Sequence, residues 1–471
     1  MLRTLLFIHR YAAVAVGVLM VTWCLSGFVM MYQPFPEFTS AERLATLAPL
    51  QLRGCCITRF LPDDAAPAGE FSIAMLNGRP VLRQPGVATI ALATGTPLQR
   101  LQQQDLQQVA ADLARRRGIL STPRWLEEVG IDQWSIQSAR RNRPVQRFAL
   151  GDNAGTQIYI NGRTGEVFQD TTRRERLLSW MGAIPHWLYP TALRRNGAVW
   201  AQVVIWTSLV GTFLAATGLY VGISRLCWRG GRPGSPFRGW WYWHHIAGLF
   251  FGVLTLTWVC SGLLTMNPWG LLEGGDTGAR VRMQLQGEPP VAELRRFLAG
   301  APGRLEGQDF VELSAQPLGG QLFVLARRAD GSTMRLDAAG NPAPLRTAGV
   351  EVALAQLDTG LQSLQLLDHE DAYYYSHKRT VGLPVYRAIL GDAQHTRVYL
   401  SATTGELRII DRAARRARWF ERGLHGLDFA GLRQRPVWDV VALLLLAGVT
   451  AVCVTGSWMA IQRVRRDLRR G

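Results

Sequence analysis

One stretch of this chain is written twice, and each copy is long and apolar enough to cross a membrane. Residues 9–27 read HRYAAVAVGVLMVTWCLSG and residues 244–262 read HHIAGLFFGVLTLTWVCSG, identical at nine of nineteen positions without a gap. The hydrocarbon core of a bilayer is about 30 Å thick and takes about 20 apolar residues as helix. Four runs meet that length, near 11–32, 199–223, 246–268 and 437–461. In lipid every backbone polar group must be satisfied within the protein, which leaves helices as the economical way to span. The first run exceeds the h-region of a signal peptide and no small-residue cleavage site follows it, so it reads as a retained helix.

Charge sets the expected orientation. The net charge is +17, carried almost entirely by arginine, with Lys378 the single lysine. Four spans make nucleic acid an unsuitable partner and assign the basic residues to topology. Arg3 and Arg10, the loop arginines Arg225, Arg229, Arg232 and Arg238, and the tail arginines Arg463, Arg465, Arg466, Arg469 and Arg470 place those three segments on the cytoplasmic side. Both termini are then cytoplasmic, and two long segments lie outside, in the periplasm of a Gram-negative host.

The repeat runs beyond the helices. DQWSIQSARRNRPVQR (132–147) parallels DAYYYSHKRTVGLPVYR (371–387), GDNAGTQIYINGRTGEV (151–167) parallels GDAQHTRVYLSATTGEL (391–407), and WMGAIPHWL (180–188) parallels WFERGLHGL (419–427). Each half therefore carries two spans, an outer domain and a histidine-bearing segment, giving a parallel repeat and a four-helix transmembrane bundle. The expected order is helix 1 (1–32), a first outer domain (33–178), a histidine segment with helix 2 (179–223), a cytoplasmic loop (224–243), helix 3 (244–268), a second outer domain (269–418), a histidine segment with helix 4 (419–462) and a basic tail (463–471). The outer domains read as α+β. Hairpin signals stand at Asn77-Gly78 and Asp330-Gly331, helices near 103–117 and 349–360, and strands near 144–150, 156–160, 384–390 and 396–400. That is one helix on an antiparallel sheet per half.

Of the eight histidines, four form repeat-related pairs. His9 and His244 start helices 1 and 3. His186 and His425 shortly precede helices 2 and 4. A two-fold axis along the bundle sets each pair face to face, and facing imidazoles are axial ligands for haem iron. Ala13 and Gly17 follow His9 at helical spacing, as Gly248 and Gly252 follow His244. The stripe leaves room for a macrocycle, but taken alone it reads first as close helix packing. His245 is an alternative to His244. His369, His377 and His395 have no counterpart in the first half and read as solvated side chains. Arg194 and Arg433 are candidate propionate partners, with lipid headgroups as the competing assignment. Tyr373-Tyr374-Tyr375 reads as strand residues facing core and surface alternately, with substrate stacking as the other reading.

Six cysteines give no disulfide framework. Cys24, Cys260 and Cys453 sit in apolar runs and Cys227 in the cytoplasmic loop. A bridge between neighbours is strained, so Cys55 and Cys56 read as two free or separately paired thiols rather than a redox centre. No C-x-x-C-H motif occurs, which leaves b-type rather than covalently attached haem.

The DAYYYSHK…LPVYR…TRVYL…TTGE block, with the two histidine helix starts, resembles the PepSY-associated transmembrane proteins, known also as iron-regulated membrane proteins. The resemblance covers nearly the whole chain. It implies PepSY-like periplasmic domains and, by similarity to the inner-membrane ferric-siderophore reductases, haem b between the helices. The family's helix-start histidine falls on His9 and His244, and the histidine before the second helix of each half on His186 and His425. The expected function is a two-haem oxidoreductase. It passes electrons from quinol or a cytosolic reductase to a ferric siderophore or other ferric chelate in the periplasm. The chain has no nucleotide or flavin fingerprint, so the donor is a separate partner. The alternative is a membrane-anchored binding or regulatory protein acting on an envelope protease, without redox activity.

Overall fold

The computed structural model describes residues 2–86, 88–229, 232–273, 275–376 and 381–469; His377, Lys378 and Arg470 fall outside them. The chain divides into two units. One gathers Met1–Phe35, Arg174–Glu273 and Ala413–Gly471, the other Pro36–Arg173 and Gly274–Arg412.

Among the described residues the first unit holds four helices long and apolar enough to cross a membrane, Leu2–Met30, Gly197–Ser224, Trp240–Thr265 and Val437–Leu468. Their apolar residues cover the whole circumference rather than one stripe, the pattern of a helix surrounded by lipid and protein on all sides. The first helix packs on the second and fourth, and the third also packs on the second and fourth. The first and third therefore face one another across the bundle. Small and polar residues mark the contact seams. A Cβ at Gly17 would lie 2.8 Å from Ser457 Oγ, and one at Gly252 3.1 Å from Leu219 Cδ1. These two glycines thus serve helix packing, while Gly248 borders open space. The helices start earlier than hydropathy suggested. His9 and His244 consequently lie within Leu2–Met30 and Trp240–Thr265, in the third and second turns, not at their ends. Between the second and third helices, Cys227–Arg229 and Arg232–Gly234 pair as a small hairpin.

Among the described residues the second unit contains three antiparallel sheets. Arg124–Val129, Val145–Ala149, Gln157–Asn161 and Val167–Thr171 form one, in sequence order. Leu106, Ala110 and Leu113 of helix Gln103–Arg116 pack on its Phe148, Leu150, Ile158 and Ile160. Leu361–Leu367, Val385–Leu390, Arg397–Ser401 and Leu407–Ile410 repeat that order. Their inward residues meet Val350 and Leu354 of Thr347–Leu354 and Val281 and Leu285 of Thr277–Gln286.

The third sheet changes the expected plan of one sheet per half. The two hairpins join in seven strands, with Ser72–Leu76 pairing against Phe310–Ala315 at Ser72↔Ser314 and Ile73↔Leu313. Helix Val291–Leu305 buries Leu294, Phe297, Leu298 and Ala301 beneath it. Arg43 grips buried Glu312 with two bonds of 2.6 and 2.8 Å, a bidentate pair across the same seam. The turns follow the expected chemistry. Asn77 and Gly78 both have positive φ, 48° and 75°, as a two-residue hairpin turn requires.

In each four-stranded sheet a buried tyrosine ends on an aspartate. Tyr159 Oη donates to Asp132 and Tyr399 Oη to Asp371, both at 2.7 Å. Arg147 and Arg387 complete the sets at 3.2 and 3.0 Å. Burial works to raise Asp371, but the Tyr399 hydroxyl, the Tyr373 and Tyr374 N–H groups and Arg387 together hold its carboxyl below the ordinary range. Asp371 thus caps a turn at Tyr373-Tyr374, which corrects the strand expectation for that run. Tyr375 is buried, Tyr374 stacks on Tyr399 with ring centres 5.1 Å apart, and Tyr373 lies under Arg397. Cys55 and Cys56 are also corrected: their sulfurs are joined in a disulfide between neighbours.

Candidate functional site

The four paired histidines sit in one local arrangement, repeated four times in the helical unit. His186 ends the short helix Ala183–His186, and His425 ends a π-helical turn, Arg418–His425. His186 Nδ1 lies 3.1 Å from the carbonyl of Trp23 and 3.1 Å from Ser26 Oγ. His425 Nδ1 lies 3.1 Å from the carbonyl of Trp258 and 3.2 Å from Ser261 Oγ. His9 Nδ1 lies 3.1 Å from the carbonyl of Leu214 and 3.4 Å from Thr217 Oγ1. His244 Nδ1 lies 3.0 Å from Thr455 Oγ1 and also bonds the Val452 carbonyl.

These partners fix the tautomer. A carbonyl only accepts, so Nδ1 carries the proton and donates it. The four hydroxyls are themselves donating to helix carbonyls, which leaves them accepting from Nδ1. Nε2 of all four rings then presents a lone pair, and among the described residues it has no hydrogen-bond partner. An imidazole oriented through Nδ1–H to a carbonyl and open at Nε2 is the usual form of a metal-ligating histidine.

Each ring also lies on a glycine. An added Cβ would stand 2.6 Å from His9 Cε1 at Gly218, 3.0 Å from His244 Cε1 at Gly456, 3.4 Å from His425 Cε1 at Gly262 and 3.9 Å from His186 Cε1 at Gly27. The segments carrying His186 and His425 are clamped alike. Trp200 Nε1 donates to the Trp187 carbonyl at 3.0 Å and Trp438 Nε1 to the Gly426 carbonyl at 2.9 Å. Two residues beyond each histidine, Leu188 and Leu427 take left-handed backbone, φ 50° and 51°. That conformation is costly for leucine and persists only where its surroundings impose it.

The structure brings His186 and His425 together, with ring centres 6.2 Å apart. Both line a cavity of about 670 Å³ walled by Met20, Trp23, Val204, Trp258, Leu446 and Val449. Haem fits these residues. A metal–imidazole bond is about 2 Å and the nitrogen lies about 1 Å from its ring centre, so two imidazoles on one iron stand about 6 Å apart. The cavity is largely apolar and aromatic, as a macrocycle requires. His9 and His244 stand on the facing first and third helices, each wedged against the next helix in the ring.

The other candidates lie elsewhere. His245 is buried and spends both nitrogens, Nδ1 on Ser235 Oγ at 2.9 Å and Nε2 on the Gly222 carbonyl at 2.8 Å. Arg194 stacks over Tyr189 and Trp200, two rings of the cavity wall, at 5.1 and 4.5 Å. Arg433 closes a turn through its backbone N–H to Phe429, and neither arginine lines the cavity. His369 and His395 are exposed beside Asp368 and Gln362. Among the described residues no cluster of three metal-ligating side chains occurs.

Sequence reasoning missed the partners of the histidines, although the signal was present. Ser26-Gly27 and Ser261-Gly262 stand at identical positions of the repeated stretch, and Thr217-Gly218 and Thr455-Gly456 share a Thr-Gly pair. The family model described as PepSY-associated TM region matches residues 6–463. No curated protein matches the chain.

Proposed function

The chain belongs to the PepSY-associated TM region family, and from that premise we propose that this multi-pass membrane protein is a two-haem electron conduit of the bacterial inner membrane. It reduces a ferric siderophore or other ferric chelate in the periplasm. The carrying observation is the fourfold arrangement of histidines with Nδ1 bonded and Nε2 open, one pair of which faces across a haem-sized cavity.

His9 with His244 would hold the cytoplasmic-side haem b, and His186 with His425 the periplasmic-side one. Haem held between two imidazoles supplies one-electron exchange between ferric and ferrous iron, with no open position for oxygen. The chain's own part is orientation and exclusion of water. The Trp23, Trp258, Leu214 and Val452 carbonyls hold the rings in register, and Met20, Trp258 and Val449 keep the cavity wall apolar. Eighteen residues of one helix separate His9 from Gly27, about 27 Å of rise. The two pairs therefore divide the bilayer crossing.

The arginine-rich termini and the loop 224–243 support cytoplasmic ends. The two PepSY-like domains of the repeat would then lie in the periplasm, where they dock the chelate. Reduction to Fe(II) weakens the metal's hold in a hard oxygen cage and frees it. Quinol or a cytosolic reductase is the donor. The test is reoxidation of the reduced, haem-loaded chain by a ferric hydroxamate added outside right-side-out vesicles. Reoxidation that is lost in His186→Ala supports the proposal, and a rate unchanged by His186→Ala and by His425→Ala overturns it.

A further inference from the structure

Cys24 and Cys453 lie on the first and fourth helices, 429 residues apart in sequence, with sulfurs 3.8 Å apart. Both are buried free thiols, and both line the same cavity as His186 and His425. Their immediate surroundings are apolar, with Met20, Leu446 and Val449 in one packed cluster. The Thr450 hydroxyl, one turn before Cys453, bonds Cys24. The other two free cysteines differ: Cys227 bonds the Gly234 carbonyl and neither Cys227 nor Cys260 lines the cavity. Helix packing alone asks only for small side chains at such a seam. It does not require two thiols in contact at the wall of a solvent-sized opening.

We propose that Cys24 and Cys453 form a redox modification site, a dithiol that a small peroxide entering the cavity converts to an interhelical disulfide. A disulfide needs its sulfurs at about 2.05 Å, so closure moves them together by less than about 2 Å, within reach of side-chain rotation. One thiol, as thiolate, attacks the O–O bond and becomes a sulfenic acid, while the hydroxide that leaves takes up the proton and departs as water. The second thiol attacks that sulfur, the S–S bond forms and a second water leaves. Two thiols are oxidised by two electrons and one peroxide is reduced to two waters. The apolar wall admits a small neutral oxidant and keeps out charged thiols such as glutathione. The product ties the first helix to the fourth beside the cavity. The thiol contact does not depend on what the cavity binds, and the haem reading enters only through access: the oxidant reaches the pair while the cavity is free of haem.

The experiment uses the full chain, expressed without added haem, purified reduced in detergent and exposed to hydrogen peroxide, then denatured and alkylated for peptide mapping. The expected result is a cross-linked Cys24–Cys453 peptide two mass units below the sum of its reduced parts. Alkylation at Cys24 and Cys453 falls together by tenfold or more, and Cys227 and Cys260 stay alkylated. Cys24→Ser abolishes the cross-link and leaves Cys453 alkylated. Two results overturn the proposal: full alkylation of both cysteines after treatment, or separate oxidation of each to sulfinic acid with no cross-link. Since the native chain carries the primary readout, a variant that fails to fold does not blunt the test.

Discussion

The two histidine pairs use one local device on two kinds of support. His9 and His244 grow from the spanning helices themselves and wedge onto Gly218 and Gly456, where a Cβ would force His9 to shift at 2.6 Å and crowd His244 at 3.0 Å. His186 and His425 come from short turns pinned by Trp200 and Trp438, and their glycines, Gly27 and Gly262, leave ordinary or near-ordinary clearance of 3.9 and 3.4 Å. What the pairs share is the ring chemistry: Nδ1–H on a helix carbonyl, a hydroxyl beside it, Nε2 open. The difference teaches that the chemistry is set by the carbonyl and the position by whatever backbone is at hand. In one pair steric wedging positions the ring; in the other a strained turn does.

Removing a ring should give the largest effect. His9→Ala and His186→Ala are each expected to lower haem content from two per chain to about one, and the double variant to none, by haem quantification on purified protein. Loss of both haems in each single variant would break the picture of two separate sites.

The glycine series sharpens the steric contrast. Gly218→Ala should displace His9 and cut occupancy of that site by at least half, with Gly456→Ala close behind. Gly27→Ala should leave occupancy within about a tenth of the parent. Equal effects at all four glycines would remove the distinction between wedge and turn.

A smaller effect is expected from the hydroxyls. Thr455→Val deletes one acceptor of His244 Nδ1 and keeps the Val452 carbonyl. Outer partners of metal-bound histidines are worth 10–100-fold in affinity, and with one partner retained the expectation is about tenfold faster haem loss. Ser26→Ala should do the same at His186. No change in either rate would mean that the carbonyl alone orients the ring.

The smallest change in this series lies away from the bundle. Asp371→Asn removes a carboxylate that is held low by its hydrogen bonds, and should cost about 2 kcal/mol of stability with haem content unchanged. A depressed carboxyl stabilises the fold above its unfolded-state pKa and loses that contribution as pH falls through its folded value. The parent's melting temperature should therefore drop toward the variant's below about pH 4, and a constant gap at all pH values would deny Asp371 its charged role.

Much of this was legible in the sequence because the signals were local. Apolar length marked the four spans, and the Asn77-Gly78 turn and the alternating segments between turn residues marked the hairpins and sheets. The seven-stranded sheet was not legible, since the pairing of Ile73 with Leu313 joins residues that share no local pattern. The tyrosine run misled because Asp371 captures two of its N–H groups and bends it into a turn. The histidines stood out by repetition. Their partners did not, because a backbone carbonyl such as that of Leu214 leaves no mark on residue type, and Ser26 and Thr217 look like ordinary small residues of a membrane helix. The stripe after His9 was legible for what it does, since Gly17 serves the close helix contact with Ser457.

The central claim is that four open imidazoles hold two haems. The most direct measurement is haem per chain, with the dithionite-reduced minus oxidised spectrum, on the full protein expressed with ample haem supply. The account predicts two b-type haems per chain with the low-spin spectrum of iron between two imidazoles. Chain purified without haem under those conditions would contradict it, and the repeated histidines would then be structural posts of a membrane-anchored binding protein.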